Sequence, residues 1–330
     1  MAGVETREVA HEEAGLRLDR WFGRHFPALG HGHLQKLLRT GQVRVDGGRA
    51  KANQRLEAGQ RVRVPPLGTP GGATSAAPRP RAAVSREDAA DLQARVLHKD
   101  AEILVIDKPA GLAVQGGAGT PKHLDAMLDA LRFEAAERPR LVHRLDRDTS
   151  GCLVLARSAA AAARLGEVFR GRDATKTYWA MTVGVPRPHR GTIDAPLAKI
   201  GASDGERVRV AEKGGDRALT HYAVVEAIGR KLAWVALLPV TGRTHQLRVH
   251  MAHIGTPILG DGKYGGARAF AAEAPEARRV HLHAREIVLP RRDGGRLRVR
   301  APLPEHMRAT WGAFGLDERR DGDPFELGTK

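Results

Sequence analysis

The chain reads as an α+β protein, with a mixed sheet carrying helices on its faces, preceded by a smaller and strongly basic unit. Three observations lead there. From about residue 90 to 310, apolar runs too short for helices are interspersed with helical segments, without the even βαβ spacing of a parallel fold. Residues 17–66 carry eleven Lys/Arg against three acids, half of the formal +16 of the 330-residue chain. Between these regions, residues 67–84 are rich in Gly, Pro and Ala, include Arg79 and Arg81, and contain no acid. Such a composition cannot bury enough surface to order itself, so a flexible linker is expected.

Taken in chain order, residues 1–14 are expected to be an N-terminal tail. In 15–66, Leu18, Trp21, Phe22 and Phe26 stand at helical spacing, and Leu34, Leu37 and Leu38 repeat the pattern up to Gly41, a C-cap. Val43 and Val45, then Val62 and Val64, alternate with polar residues as in short strands. In the large domain, 85–316, the expected strands are Ile103–Ile106, Gly151–Ala156, Tyr178–Val183, Ala223–Glu226, Ala233–Leu238 and Ile287–Leu289. The expected helices are His123–Leu131, Ala159–Phe169 and His245–His253. From Asp317 to Lys330 the chain is charged and aperiodic, and a loose tail is expected.

No stretch approaches the roughly 20 apolar residues of a membrane span, and the opening Met1–Glu8 has acids where a secretory signal needs an apolar run. Cys152 is the only cysteine, so no intrachain disulfide forms, and its place in an apolar strand marks a packing residue. A cytoplasmic location is expected. The excess of positive charge points to a polyanionic partner.

The densest chemistry lies in Leu141–Gly151, where His143, Arg144, Asp146, Arg147 and Asp148 crowd the loop feeding the buried strand that contains Cys152. Charges brought to a core must be paired or neutralised, so a mere linker has little use for them. The alternatives are a solvated charged turn, or a site in which Asp146 is a catalytic carboxylate and Arg144 a phosphate or base contact.

The segment His143-Arg144-Leu145-Asp146-Arg147-Asp148-Thr149-Ser150-Gly151 resembles, without gap or substitution, the signature of the RluA family of pseudouridine synthases. Lys108-Pro109-Ala110-Gly111, Lys176-Thr177-Tyr178 and Thr241–His250 resemble the family's other motifs, in the family's order. Within the family, the run Gln115–Gly119 and Glu206–Val210 before Thr220 are similar to the RluC group, which acts on 23S ribosomal RNA; the sister RluD group is the nearest rival. Residues 15–66 resemble an S4 RNA-binding domain, except that Gly30-His31-Gly32-His33 stands where a serine-and-arginine stretch is usual. Gln35, Lys36 and Arg39 are then left to contact phosphates.

The resemblance implies a mainly antiparallel mixed sheet split by a catalytic cleft. It implies a monomer with neither metal nor organic cofactor, acting on 23S ribosomal RNA or the assembling large subunit. It makes Asp146 the essential aspartate, Tyr178 the residue stacking on the target uracil, and Arg243 the arginine paired with Asp146. Arg144 would intrude where the base has left, with Lys108 and Lys176 as further RNA contacts. Isomerising uridine breaks and remakes one glycosidic link without redox change or net water, a task for one carboxylate beside an oxocarbenium-like centre. Asp148 is expected to face away and to bond Thr149 and Ser150. His245, His250 and His253 fall at about 0°, 140° and 80° around a helix, which does not converge on a metal. Gly116–Lys122 lacks the ending of a phosphate-binding P-loop and reads as a substrate-side loop. The competing classes are a non-catalytic RNA-binding protein and a nucleoside hydrolase, the latter needing a second acid.

Overall fold

The computed structural model describes residues 3–67, 84–116, 120, 122–200, 207–320 and 324–325. The linker expected at 67–84 lies almost wholly outside the described residues, as do 117–119 and 121 of the glycine-rich loop. The chain divides into two compact units, Met1–Ala83 and Val84–Lys330.

The first unit holds β1 (Glu5–Glu8), helices α1 (Leu18–His25) and α2 (His31–Arg39), and strands β2 (Arg44–Val45), β3 (Gly48–Arg49) and β4 (Arg61–Val64). Its antiparallel sheet runs β1-β4-β2-β3. Leu18, Trp21, Phe22, Leu34, Leu37 and Leu38 close its core, as their helical spacing predicts. The expected tail is a correction. Residues 5–8 pair with 61–64, Val9 is buried, and the buried Glu13 carboxylate accepts from Trp21 Nε1 at 2.8 Å and bonds His25 Nε2 at 2.7 Å. Short alternating strands dominated by charge carry little apolar signal, so the sequence pattern hid this one.

The second unit contains, in order, α3 (Arg86–Ala94), β5 (Val96–Lys99), β6 (Ile103–Lys108), α4 (Leu124–Met127), β7 (Arg140–Leu141), β8 (Ser150–Ala156), α5 (Ala159–Gly171), β9 (Thr175–Val183), β10 (Arg190–Asp194), β11 (Leu197–Ile200) and β12 (Arg207–Val210). It continues with β13 (Leu219–Ile228), β14 (Leu232–Pro239), α6 (Gln246–His253), α7 (Gly262–Gly265), β15 (Leu282–Pro290), β16 (Arg296–Arg300) and α8 (Glu305–Ala313). The main sheet runs β10-β13-β14-β9-β15-β8-β6-β5, with β16 beside β15 and β7 beside β8. Every expected strand is present within it. The helix expected over His123–Leu131 is α-helical only over Leu124–Met127 and tightens to 3-10 over Leu128–Leu131.

One join positions the site. All ladders of this sheet are antiparallel except β15 with β8, which is parallel and only two residue pairs long, His283 with Ser150 and Ala284 with Gly151. The sheet is thus two halves hinged at the residue that ends the His143–Gly151 motif. Gly151 has φ +105°, and a Cβ there would overlap the Ala284 carbonyl, so both conformation and space demand glycine. One face is covered by α5 over Val105, Cys152, Val154 and Leu289. Trp179, Trp234 and Trp311 of β9, β14 and α8 meet edge to face.

The C-terminal tail is also a correction in its described part. Arg320 pairs with Glu226 at 3.1 Å, the Pro324 carbonyl accepts from Arg190 at 2.6 Å, and Phe325 packs on the tryptophan cluster. A charged segment without periodicity can still be held by contacts that have no local signature.

Replacing Gly151 with Ala is expected to destabilise the second unit by about 1–3 kcal/mol from the strained φ alone, and so to lower its unfolding midpoint. Thermal unfolding followed by tryptophan fluorescence measures this; a midpoint equal to the parent would show that the β8–β15 join tolerates a side chain.

Candidate active site

The motif loop between β7 and β8 is built by hydrogen bonds from the Lys108–Gly111 segment. Lys108 is wholly buried, and its ammonium donates to the carbonyls of Pro109 (2.8 Å), Leu112 (2.9 Å) and Arg147 (3.1 Å). Burial drives its pKa down to about 7, against the pull of Asp148, Asp146 and Asp107. Three accepting carbonyls use all three donors of the charged form. The Gly111 amide donates to the Arg147 carbonyl at 2.8 Å, and Arg147 Nε returns a bond to the Gly111 carbonyl at 3.1 Å. The expected role of Lys108 as an RNA contact is therefore corrected: the side chain has no surface and pins the loop from behind.

His143 fixes the other end. Its Nε2 accepts from the Val154 amide at 2.8 Å and its ring stacks on Phe169 at 4.4 Å. Burial, with Lys176 nearby, holds its pKa down at about 3. Between these anchors, Asp146 faces a cleft of 640 Å³ whose walls come from this loop, the C-terminal end of α5, the start of β9 and the turn after β14.

Of the expected site residues, Arg144, Asp146, Lys176, Tyr178 and Arg243 all line this cleft. Arg170 and Arg172, which sequence reasoning missed, add two exposed cations at the end of α5. Asp146 is the only acid among the described lining residues. Tyr178 is nearly buried, and burial together with the charge of Asp146 raises its phenol above the ordinary range, so it stays protonated in the free protein. Lys176 is partly buried, which lowers its pKa.

The expected pairing of Arg243 with Asp146 is not formed. The exposed Arg243 guanidinium lies 3.5 Å from Asp216 Oδ2 and donates to the Arg217 carbonyl at 3.1 Å. The guanidinium within electrostatic reach of Asp146 is that of Arg248. Arg248 is buried and grips Asp261 with two bonds (2.8 and 2.6 Å), while its third nitrogen lies 3.6 Å from Asp148 Oδ2. The reason is local geometry. His245 has φ +53° and caps α6 instead of joining it, so the helix begins at Gln246 and turns Arg248 inward, leaving Arg243 on the outer turn. Gln246 holds that turn, accepting from Thr241 Oγ1 and the Arg243 amide and donating to the Leu219 carbonyl and Thr220 Oγ1. Arg248 stood in the quoted motif; only its burial distinguishes it from Arg243.

Asp148 faces away from the cleft as expected, but it meets Arg248, and does not bond Thr149 or Ser150. Ser150 Oγ lies 2.9 Å from His283 Nδ1 instead. His250 is buried between Thr220 Oγ1 and the Ala195 carbonyl, a structural role.

A single carboxylate beside a tyrosine, in walls of fixed positive charge, suits an anionic substrate and a reaction at one carbon centre. It does not suit hydrolysis, which would need a second acid to activate water. A match to the RNA pseudouridylate synthase family model spans residues 102–253. Over 315 residues the chain is 36% identical to the ribosomal large subunit pseudouridine synthase C of Salmonella typhimurium, covering 92% of this chain and 95% of that protein. The chain belongs to the RluA family of pseudouridine synthases. It is also 35% identical to the mitochondrial RNA pseudouridine synthase 4 of Arabidopsis thaliana, over 88% of this chain and 78% of that one. Among solved structures, human RNA pseudouridylate synthase domain containing 4 superimposes with a TM-score of 0.58 at 31% identity, covering 69% of this chain and 96% of that chain. The protein is an RNA pseudouridine synthase of α+β fold, and the split sheet is the family's scaffold.

The buried imidazoles make stability depend on acidity. His143 and His283, each near pKa 3, and His281, near 4, are depressed by burial below the unfolded value of about 6.5. Between these values the unfolded chain binds more protons, so stability is full above about pH 6.5 and is lost as pH falls towards 3. Thermal midpoints across that window should drop on acidification, and His143→Gln should flatten the slope. An identical slope in the variant would mean that His143 is protonated without cost.

Proposed function

We propose that this enzyme converts specific uridines of 23S ribosomal RNA, free or in the assembling large subunit, to pseudouridine, with Asp146 as the catalytic carboxylate. The observation that carries the reading is the isolation of Asp146 as the one acid in a basic cleft, in a chain that matches a large-subunit synthase over nearly its whole length. At the oxocarbenium-like centre the carboxylate supplies the opposing negative charge, by attack on the nucleoside or by taking a proton from the sugar. Tyr178 lies against the uracil, and its protonated phenol is available to bond the base. Arg144, long and exposed at the cleft, fills the gap left when the uridine is extruded from its stack, a step that costs a few kcal/mol. Lys176, Arg170, Arg172 and Arg243 receive phosphates, and Arg248 supplies the fixed charge behind Asp146. The lone buried thiol, Cys152, suits a reducing cytoplasm.

The first unit acts, in this reading, as an S4-like RNA clamp. Two helices over a small antiparallel sheet leave Lys36 and Arg39 exposed on α2, and Arg17, Arg39 and Lys51 line a shallow groove of 520 Å³.

Asp146→Asn keeps the size of the side chain and removes its charge. Tritium release from C5-labelled uridine RNA is expected to fall by at least about 10⁴-fold, through loss of the reacting group, while RNA affinity stays within threefold, as read by filter binding. Near-parental turnover would sink the assignment of Asp146. For the clamp, removing residues 1–83 should weaken RNA binding and flatten the dependence of log K on log salt, because fewer counterions are released. A truncated protein with the parental slope would leave the basic unit as mere solubilising surface.

A further inference from the structure

Asp146 opens a tight turn. The Thr149 amide donates to the Asp146 carbonyl at 3.2 Å, so Arg147 and Asp148 are the central residues and Ser150 is the first beyond them. One arm of this turn is tied by Lys108 and Gly111, which both bond the Arg147 carbonyl. The other arm leaves the sheet at Ser150, where support is thin. The β6–β8 ladder ends at the pair Lys108 with Gly151, and β7 meets only Leu155 and Ala156, so among the described residues β15 is the one strand paired with Ser150. Its partner there is His283, and side chains double the contact: Ser150 Oγ lies 2.9 Å from His283 Nδ1. His283 Nε2 lies 3.3 Å from the Ala301 carbonyl, which can only accept. The proton of the neutral ring is therefore on Nε2, Nδ1 is an acceptor, and the Ser150 hydroxyl donates to it. Both residues are buried, and neither lines the Asp146 cleft. In the β9–β15 register Tyr178, which does line it, pairs with Ala284, whereas His283 pairs with Trp179 and so faces the other side of the sheet.

We infer that His283 is a positioning residue for the reaction: its bond to Ser150 fixes the arm of the turn that presents Asp146, from the face of the sheet opposite the cleft. The inference rests on the reading of Asp146 as the catalytic carboxylate and deepens it. A serine and a histidine buried together find no water when they part, so any shift of Ser150 away from β15 leaves two polar groups unsatisfied. That penalty resists movement of the arm. The Thr149 amide couples the arm to the Asp146 backbone, so slack at Ser150 is passed on to the carboxylate. Because neither side chain reaches the cleft, losing the bond acts on the rate of the chemical step and leaves RNA affinity alone.

The test uses the full-length protein and four variants, S150A, H283Q, H283N and S150A/H283Q. Asparagine sets an amide oxygen near the place of Nδ1 and keeps an acceptor for Ser150, whereas glutamine sets an amide nitrogen near the place of Nε2 and keeps only the bond to Ala301. Single-turnover tritium release from C5-labelled 23S ribosomal RNA, transcribed in vitro and saturating, is measured well below every melting point, beside RNA affinity by filter binding. S150A and H283Q are expected to react more than about tenfold more slowly than the parent, while H283N and the RNA affinity of all four stay within about threefold. The double variant should be within about twofold of the slower single one, because both remove the same bond. A purely structural role would lower the melting temperature and leave the saturated rate of the folded protein unchanged. Parental rates in S150A and H283Q would overturn the inference, as would equal losses in H283N and H283Q, multiplied losses in the double variant, or RNA affinity falling in step with rate. D146N is run in parallel: an active D146N counts against the reading of Asp146, whereas an inactive D146N beside a fully active S150A counts against His283 alone.

Discussion

The site depends on a buried ammonium. Lys108, at the end of β6, carries a charge into a place with no solvent, where an unpaired ion would be prohibitive, and three backbone carbonyls answer it. One belongs to Arg147, the residue after Asp146. The bond therefore ties a rigid sheet strand to the backbone of the Asp146 loop, and each charge-assisted contact of this kind is worth about 1.5–3 kcal/mol. The loop that presents Asp146 to the cleft is otherwise free to move, and in an active site a displacement of about an ångström can cost two orders of magnitude in rate. The same ammonium explains why a lysine in a motif of an RNA enzyme need not touch RNA.

The second constraint is the two-residue parallel join of β8 and β15. A sheet that is antiparallel on either side can open at so short a ladder, and the opening becomes the cleft. Its walls are drawn from loops of both halves, so its chemistry is assembled from segments far apart in sequence: Asp146 before β8, Tyr178 in β9, Arg243 after β14. Charge follows the same division. The Asp146 carboxylate sits among arginines and a lysine on one side of the loop, and on the other Asp148 meets Arg248, which is buried between Asp148 and Asp261 and reaches Asp146 electrostatically as well.

Arg243 and Arg248 show how little spacing alone says about role. They are five residues apart in one motif, of the same type, and both near carboxylates. What separates them is burial: Arg248 lies on the inward side of α6, gripped by Asp261, whereas Arg243 precedes the left-handed cap at His245 and lies on the exposed turn. Inside the helix, Arg248 is driven into the core and must be paired; outside it, Arg243 remains exposed on the cleft rim. A positive φ at a non-glycine residue is set by the contacts around it, here including the His245 Nδ1 bond to the Tyr264 hydroxyl at 2.6 Å.

By itself the sequence determined the fold class, the positions of the main strands, the family motifs and the candidate carboxylate, because buried strands must be apolar and a reactive loop must be polar whatever surrounds them. Each predicted strand is longer in the structure, since only its buried centre leaves an apolar run: Ile287–Leu289 extends to Leu282–Pro290, Ala223–Glu226 to Leu219–Ile228. Only the tertiary structure decided that residues 5–8 complete a sheet, that the C-terminal segment is held by Glu226 and Arg190, that Lys108 faces inward, and that Arg248 rather than Arg243 approaches Asp146. These outcomes turn on whether a charged side chain is buried and what meets it there. Burial of a charge is a property of its partners, which for Lys108 include the Arg147 carbonyl 39 residues away, and no local pattern encodes them.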